Sequence, residues 1–287
     1  MYENCTAFED MMPVGLGKLT SLQCLRKFVV AENPVEEIAT LNELKDLNNL
    51  REDLFIEKLN LVQDVASESK EVNLNRKRYL QSLWLDWGDS EDNKNSDSLQ
   101  LLDNLHPHQN LKDLTVLRYP GVGFSNWLSS LTNVVSIHLF GFKNCHYIPP
   151  LEGLASLKSL VIEHMDALEY ICFEIYQEIS STNASSSLAM PTRVFFPSLE
   201  RLVLNDCPNL WGWKWIYQQH QQDLLLPPFP CLSSLSITNC WNLVCMPTFP
   251  YLVEKLTLFA CNVTPLIDTL ITNMVTSTPT RGFCYNT

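Results

Sequence analysis

LERLVLNDC at residues 199–207 and CLSSLSITNC at residues 231–240 carry one phrase: an aliphatic residue, two others, leucine, any residue, a second aliphatic, and a closing cysteine. The phrase returns as Leu80, Leu83, Leu85; as Leu111, Leu114, Val116; as Val134, Ile137, Leu139; and as Leu157, Leu160, Ile162. A variant start gives Val253, Leu256, Leu258, Cys261, and looser copies stand at Leu50, Leu54, Ile56, Leu59 and at Leu19, Leu22, Leu25, Phe28. Alternation around the central leucine puts both apolar side chains on one face of a short strand and the residue between them on the other. A single strand of this kind cannot bury its apolar face, so successive copies must stack. The predicted fold class is therefore α/β, a curved solenoid with a parallel sheet on its concave side and loops and short helices on its convex side.

Working outward from the phrase, the central apolar residues 83, 114, 137, 160, 202, 235 and 256 are 31, 23, 23, 42, 33 and 21 positions apart. Three of these steps match the roughly 20–29 residues of a leucine-rich coil, and the longer ones must loop chain outward on the convex side. Residues 64–78, with acids early, bases late and Val65, Ser69, Val72 and Arg76 at helical spacing, predict a convex helix whose dipole is matched at both ends. The polar stretch DWGDSEDNKNSD at 86–97 predicts a solvated loop before a short helix at Ser98–Leu105, and SSTNASSSLAMP at 180–191 a flexible insertion. Pro149, Pro150, Pro197, Pro230 and Pro250 precede phrases, where a missing N–H leaves no ladder bond unmade. The solenoid is expected over residues 1–262, with 263–287 leaving the pattern as a tail or weak cap.

Composition narrows the function. Leucine fills 46 of 287 positions and glycine 9, and 20 Lys+Arg against 32 Asp+Glu leave a formal charge of -12. Such a balance opposes nucleic acid and anionic lipid, both of which are held largely through their phosphates. No apolar run is long enough to cross a membrane, and the acidic start MYENCTAFEDMM differs from a secretory signal. The expectation is a cytoplasmic chain without a membrane or nucleic-acid partner. Ten cysteines without a CxxC pair read as reduced thiols. The sequons at Asn4, Asn183 and Asn262 matter only on a secretory route.

The segments MPVGLGKLTSLQCL, LNNLREDLFIEKLNLVQDVASESKEVNL with LQSLWLDWGDSED, LHPHQNLKDLTVLRYPGVGFSNWL, LTNVVSIHLFGFKNCHYIPPLEGLASLKSLVI and FFPSLERLVLNDCPNL together resemble the leucine-rich repeat region of plant intracellular disease-resistance proteins, the coiled-coil nucleotide-binding class above all. The likeness covers residues 12–262. It implies a sensing and autoinhibitory module in plant immunity, with a pathogen effector, a guarded host protein, or the nucleotide-binding domain of a full-length receptor as protein partner. A P-loop needs Gly-x-x-x-x-Gly-Lys-Ser/Thr. The segment ending in Gly17-Lys18 has Met12 at the first glycine and Leu19 at the hydroxyl, so it reads as a join between repeats and the chain as a fragment without the nucleotide-binding domain.

Catalytic and metal chemistry is thin. His106 and His108 form an HxH pair with no third ligand nearby, and no Gly-x-Ser-x-Gly elbow occurs. Cys207, Cys240 and Cys261 hold the position where repeat proteins place Asn or Cys to bridge neighbouring turns from inside. We expect no enzyme, cofactor or metal. The outward residues of the strands form two rows: Trp84, Thr115, His138, Val161, Val203, Ser236, Thr257, and Asp86, Leu117, Phe140, Glu163, Asn205, Thr238, Phe259. Desolvated aromatic and aliphatic anchors dominate protein interfaces. The candidate protein-binding residues are thus Trp84, Asp86, Leu117, His138, Phe140, Glu163, Asn205 and Phe259; the bland reading is that they pack against loops and one another. Trp211, Trp213 and Trp215 alternate as in a strand, either an interaction edge or a covered patch under the insertion. Two other roles fit a repeat solenoid: a substrate adaptor of a ubiquitin ligase, and an extracellular receptor ectodomain.

Overall fold

The computed structural model describes residues 12–31, 40–89, 97–173, 196–215, 229–247, 249, 252 and 254–267. The insertion at 180–191, the sequons at Asn4 and Asn183, Pro250 and most of the tail lie outside the described residues. Each phrase forms one strand of a parallel nine-stranded sheet. In order along that sheet these are β1 (Lys27–Val29), β2 (Arg51–Glu57), β3 (Tyr79–Asp86), β4 (Asp113–Leu117), β5 (Ser136–Phe140), β7 (Ser159–Glu163), β9 (Arg201–Asn205), β11 (Ser234–Thr238) and β12 (Lys255–Phe259). Register is in step from β3 to β12. Leu83, Leu114, Ile137, Leu160, Leu202, Leu235 and Leu256 are successive partners. Leu54, Leu83, Leu114, Ile137, Leu160, Leu202 and Leu235 are all buried, and with the second aliphatic of each phrase they make one continuous core.

A left-handed residue ends almost every strand. Lys58, Arg118, Gly141, His164, Asp206, Asn239 and Ala260 have φ between 48° and 76° and each directly follows the last residue of its strand. After β3 the positive φ falls on Gly88 instead. This turn sends the chain off the sheet into the body of the coil, where the next residue points inward: Leu59, Tyr119, Phe142, Met165, Cys207 and Cys240 are all buried. In the middle coils that position is filled by aromatic bulk. Tyr119 meets Trp87 and Phe142 edge to face, with ring centroids 5.0 and 5.4 Å apart. Its hydroxyl donates to the Gly123 carbonyl at 2.9 Å, and a Cβ on Gly121 would sit 2.1 Å from that oxygen. Further along, two of the three expected thiols bridge coils, Cys207 donating to the Ile162 carbonyl at 3.9 Å and Cys240 to that of Leu204 at 3.8 Å, each on the preceding strand, while Cys261 is only half-buried.

The convex side departs from expectation in two ways. The helix expected over 64–78 is shorter: α1 (Val65–Glu71), capped by the Asp64 side chain accepting from Ser67 N at 3.1 Å, stops before Asn73. Asn73 adopts φ 51° and a separate 3-10 turn runs over Leu74–Arg76, which leaves Arg76 exposed. The helix α2 (Ser98–Asn104) forms where expected and lies against α1, with Asn104 Nδ2 donating to Ser69 Oγ at 2.9 Å. The second departure is an additional parallel sheet of β6 (Tyr147–Ile148), β8 (Tyr170–Phe173) and β10 (Gly212–Trp215), which the reading of the convex side as loops and short helices had not foreseen. Leu168 with Ile171 and Leu210 with Trp213 bury their side chains there, while Trp211 remains 50% exposed. Asp86 and Trp87, expected to open the solvated loop, are instead buried at the end of β3. Leu266, within a 3-10 turn at Thr264–Leu266, is buried against the core just past residue 262.

Candidate functional site

Both outward rows lie in register along the concave sheet face. A third row was not singled out from the sequence. It runs Asp53, Ser82, Asp113, Ser136, Ser159, Arg201, Ser234, Lys255, and its signal is the residue just before the first inward leucine of each strand.

The candidate residues fall into three zones. At one end Trp84 on β3 is 43% exposed and meets Phe55 on β2 edge to face, ring centroids 5.5 Å apart. Asp86, two residues on, is a correction to the expected contact surface, because the residue is only 4% exposed and its carboxylate is already engaged. It accepts from Arg118 Nε at 3.1 Å, pairs with the Arg118 Nη2 as well, and accepts from Gly88 N at 2.8 Å.

The middle zone is a polar ladder. His138 Nε2 lies 2.9 Å from Glu163 Oε2, Asn205 Nδ2 donates to Glu163 Oε1 at 3.4 Å, and Thr238 donates through its hydroxyl to Asn205 Oδ1. A second rung line follows the strand ends, where His164 Nδ1 stands 3.3 Å from Asp206 Oδ2 and Asn239 donates to the other Asp206 oxygen. Phe140 sits between the two lines, 4.9 Å from the His164 ring and 6.2 Å from that of His138. Leu117 and Phe140 are half-buried, neither in the core nor free. Phe259 forms the third zone by itself on β12, 68% exposed. Six strand steps separate it from Trp84, about 29 Å at ~4.8 Å per step, so these two do not belong to one compact patch.

The other sequence candidates have structural partners. The His106 ring stacks on Trp127 at 5.8 Å, burial pushes its pKa down, and His108 Nδ1 accepts from Asn110 N at 3.0 Å. The glycine segment near the start cradles a carboxylate, Gly15 N donating to Glu43 Oε1 at 2.9 Å and Gly17 N to Glu43 Oε2 at 2.5 Å. Hydrogen bonding to Cys240 and burial hold the Cys207 thiol protonated. On the flank a shallow hollow of about 480 Å³ is lined by Lys143, His146, Asp166, Ala167, Glu169 and Asn209; it is polar and lacks an aromatic anchor. Among the described residues no helix is long and apolar enough to cross a membrane.

Comparison with known proteins agrees with this geometry. Residues 41–165 match the family described as R13L1/DRL21 LRRs. The putative disease resistance protein RGA1 of Solanum bulbocastanum is 36% identical over 203 residues, 70% of this chain and 18% of the relative. Disease resistance protein RGA2 of the same species is 31% identical over 228 residues, 78% of this chain and 21% of the relative. The putative disease resistance RPP13-like protein 1 of Arabidopsis thaliana is 32% identical over 233 residues, 70% of this chain and 21% of the relative. The chain thus spans about a fifth of the length of these relatives. Repeat phrase, stacked parallel strands and sequence likeness converge: this chain is built as a leucine-rich repeat solenoid, with residues 41–165 matching the R13L1/DRL21 repeats and most of its length similar to a part of plant disease resistance proteins.

Proposed function

We propose that the concave face is a protein-binding surface serving plant defence, and that the chain acts in the cytoplasm by binding, without catalysis or a cofactor. Its partner is a pathogen effector or a guarded host protein on the sensing side, and the nucleotide-binding domain of a full-length receptor on the autoinhibitory side. One observation carries the reading: Trp84, 43% exposed, and the half-buried Phe140 lie on the outward face of strands whose inward residues are entirely buried. A rigid frame that holds aromatic anchors in fixed relative positions lowers the ordering cost of association. The relatives' names supply the defence context.

A photo-crosslinking phenylalanine analogue placed at position 84 or 140 tests this. We expect it to capture protein from plant leaf cytosol, or the purified nucleotide-binding domain of a relative, and the same analogue at Lys143 on the flank to capture much less. Equal capture at all three positions, or capture only at 143, would refute the concave-face reading.

A further inference from the structure

The concave face is not uniform, and its corner on β2, β3 and β4 has a chemistry of its own. Asp53, Ser82 and Asp113 are register partners in one row, and Phe55, Trp84 and Thr115 are register partners in the next. Two carboxylates therefore flank a small hydroxyl, and an exposed indole with its edge-packed phenyl ring lies immediately beside them. Partners two strands apart stand about 10 Å apart at ~4.8 Å per strand, which leaves a gap over Ser82 wide enough for one side chain.

The local cations do not fill that gap. Arg51 and Arg78 both lie over the Tyr79 ring, 4.7 Å from its centroid, and Arg78 also donates to the Tyr79 hydroxyl at 2.7 Å. Lys112 Nζ donates to the Asn133 carbonyl at 3.2 Å, and Arg118 is spent on Asp86. Neither the Asp53 nor the Asp113 carboxylate makes an ion pair or hydrogen bond among the described residues. Partial burial and, next, the neighbouring charge of Asp53 raise the Asp113 pKa, against a smaller opposing pull from Lys112.

Resting on the reading of the concave face as a protein-binding surface, we propose that this corner receives an arginine or lysine side chain of the partner, its cation between Asp53 and Asp113 and its stem or guanidinium plane against Trp84. Unpaired carboxylates beside an exposed aromatic face complement a cation in charge and also offer it the ring's negative quadrupole. A neutral apolar partner would leave both acids desolvated and unpaired. The chain's charge of -12 favours the approach of a basic segment over distance.

The probe is a random dodecapeptide library displayed on phage and selected against the whole chain. We expect recovered peptides to be enriched in Arg and Lys. A synthetic copy should bind at least tenfold more weakly to the Asp53→Asn/Asp113→Asn variant and to Trp84→Ala, and equally well to an Asp166→Asn/Glu169→Gln control on the flank. Its affinity should fall with added salt, and exchanging its basic residue for glutamine should cost as much as the double Asp variant does. That variant removes a repulsion, so its thermal midpoint should be no lower than that of the parent. Peptides that lose binding in Trp84→Ala or Phe140→Ala, but lack a basic residue or bind the double Asp variant equally, overturn this proposal and leave the concave-face reading standing. Peptides indifferent to every concave substitution, or a selection that returns no binder, overturn both.

Discussion

Leu235 and Leu256 are register partners on adjacent strands, each the first inward leucine of its strand, yet Leu235 is fully buried and Leu256 is 42% exposed. The difference is not in the phrase. Leu235 has β9 on one side and β12 on the other, whereas among the described residues β12 has a neighbour on one side only. In a solenoid each coil contributes half of its neighbour's burial, so identical local sequence has a stability that depends on position in the stack.

The sharpest way to break this comparison is to remove the same side chain at both kinds of site. Leu160→Ala, in a coil flanked by β5 and β9, should cost about 2–5 kcal/mol, because the stacked neighbours cannot collapse into the gap. Leu256→Ala should cost under about 1 kcal/mol, since much of its surface already meets solvent. Equal losses in urea unfolding would show that coil position does not set burial energy.

A buried charge in the interior coils extends the test. Lys77 is fully buried, its Nζ donating to the Leu44 carbonyl at 2.6 Å, and burial lowers its pKa from 10.5 to about 8 against a smaller opposing pull from Asp46. A folded pKa below the unfolded value means that the native state is penalised for the charged form below about pH 8, and that this penalty fades as pH rises toward 10.5. The full difference corresponds to roughly 3 kcal/mol. Stability of the parent relative to Lys77→Met should therefore rise between pH 8 and 10.5, measured as the difference of their urea midpoints; a difference flat with pH would place the lysine in water.

Smaller effects come from the turn that ends each strand. Gly141 at φ 76° and Ala260 at φ 48° hold equivalent positions, one in the interior and one in the last described coil. Gly141→Ala should destabilise by about 1 kcal/mol and Ala260→Gly should gain up to about the same, because only glycine enters the left-handed region without a Cβ penalty. Smallest of all should be Trp84→Ala, which removes a half-exposed ring and should lower the unfolding free energy by less than about 0.5 kcal/mol while leaving the circular dichroism unchanged. A loss as large as that of Leu160→Ala would move Trp84 from the surface into the core.

Much of the spine was legible because its code is short. Leucine spacing with period two names the inward face, and a slip of one residue would turn every leucine out to solvent, so Leu83, Leu114, Ile137, Leu160, Leu202 and Leu235 had one register open to them. The second sheet was less visible, though its signal is present: Cys145 and Ile148, Leu168 and Ile171, Leu210 and Trp213, each three apart after the coil's inward turn, are buried pairs. The candidate surface was readable as rows but not as contacts. Nothing near Asp86 in the chain announces that Arg118, 32 residues away, closes over it, and nothing near Asp53 shows that Asp113 faces it across Ser82.

The order of side chains within each strand, inward or outward, was determined by the sequence alone, because backbone pleating couples direction to position within a few residues. Which outward residues keep their surface was decided only by the tertiary structure. Their neighbours come from coils 21 to 42 positions away, and it is the stacking of those coils that covers Asp86, links His138 to Glu163, and leaves Trp84 and Asp53 exposed and Asp113 half-buried.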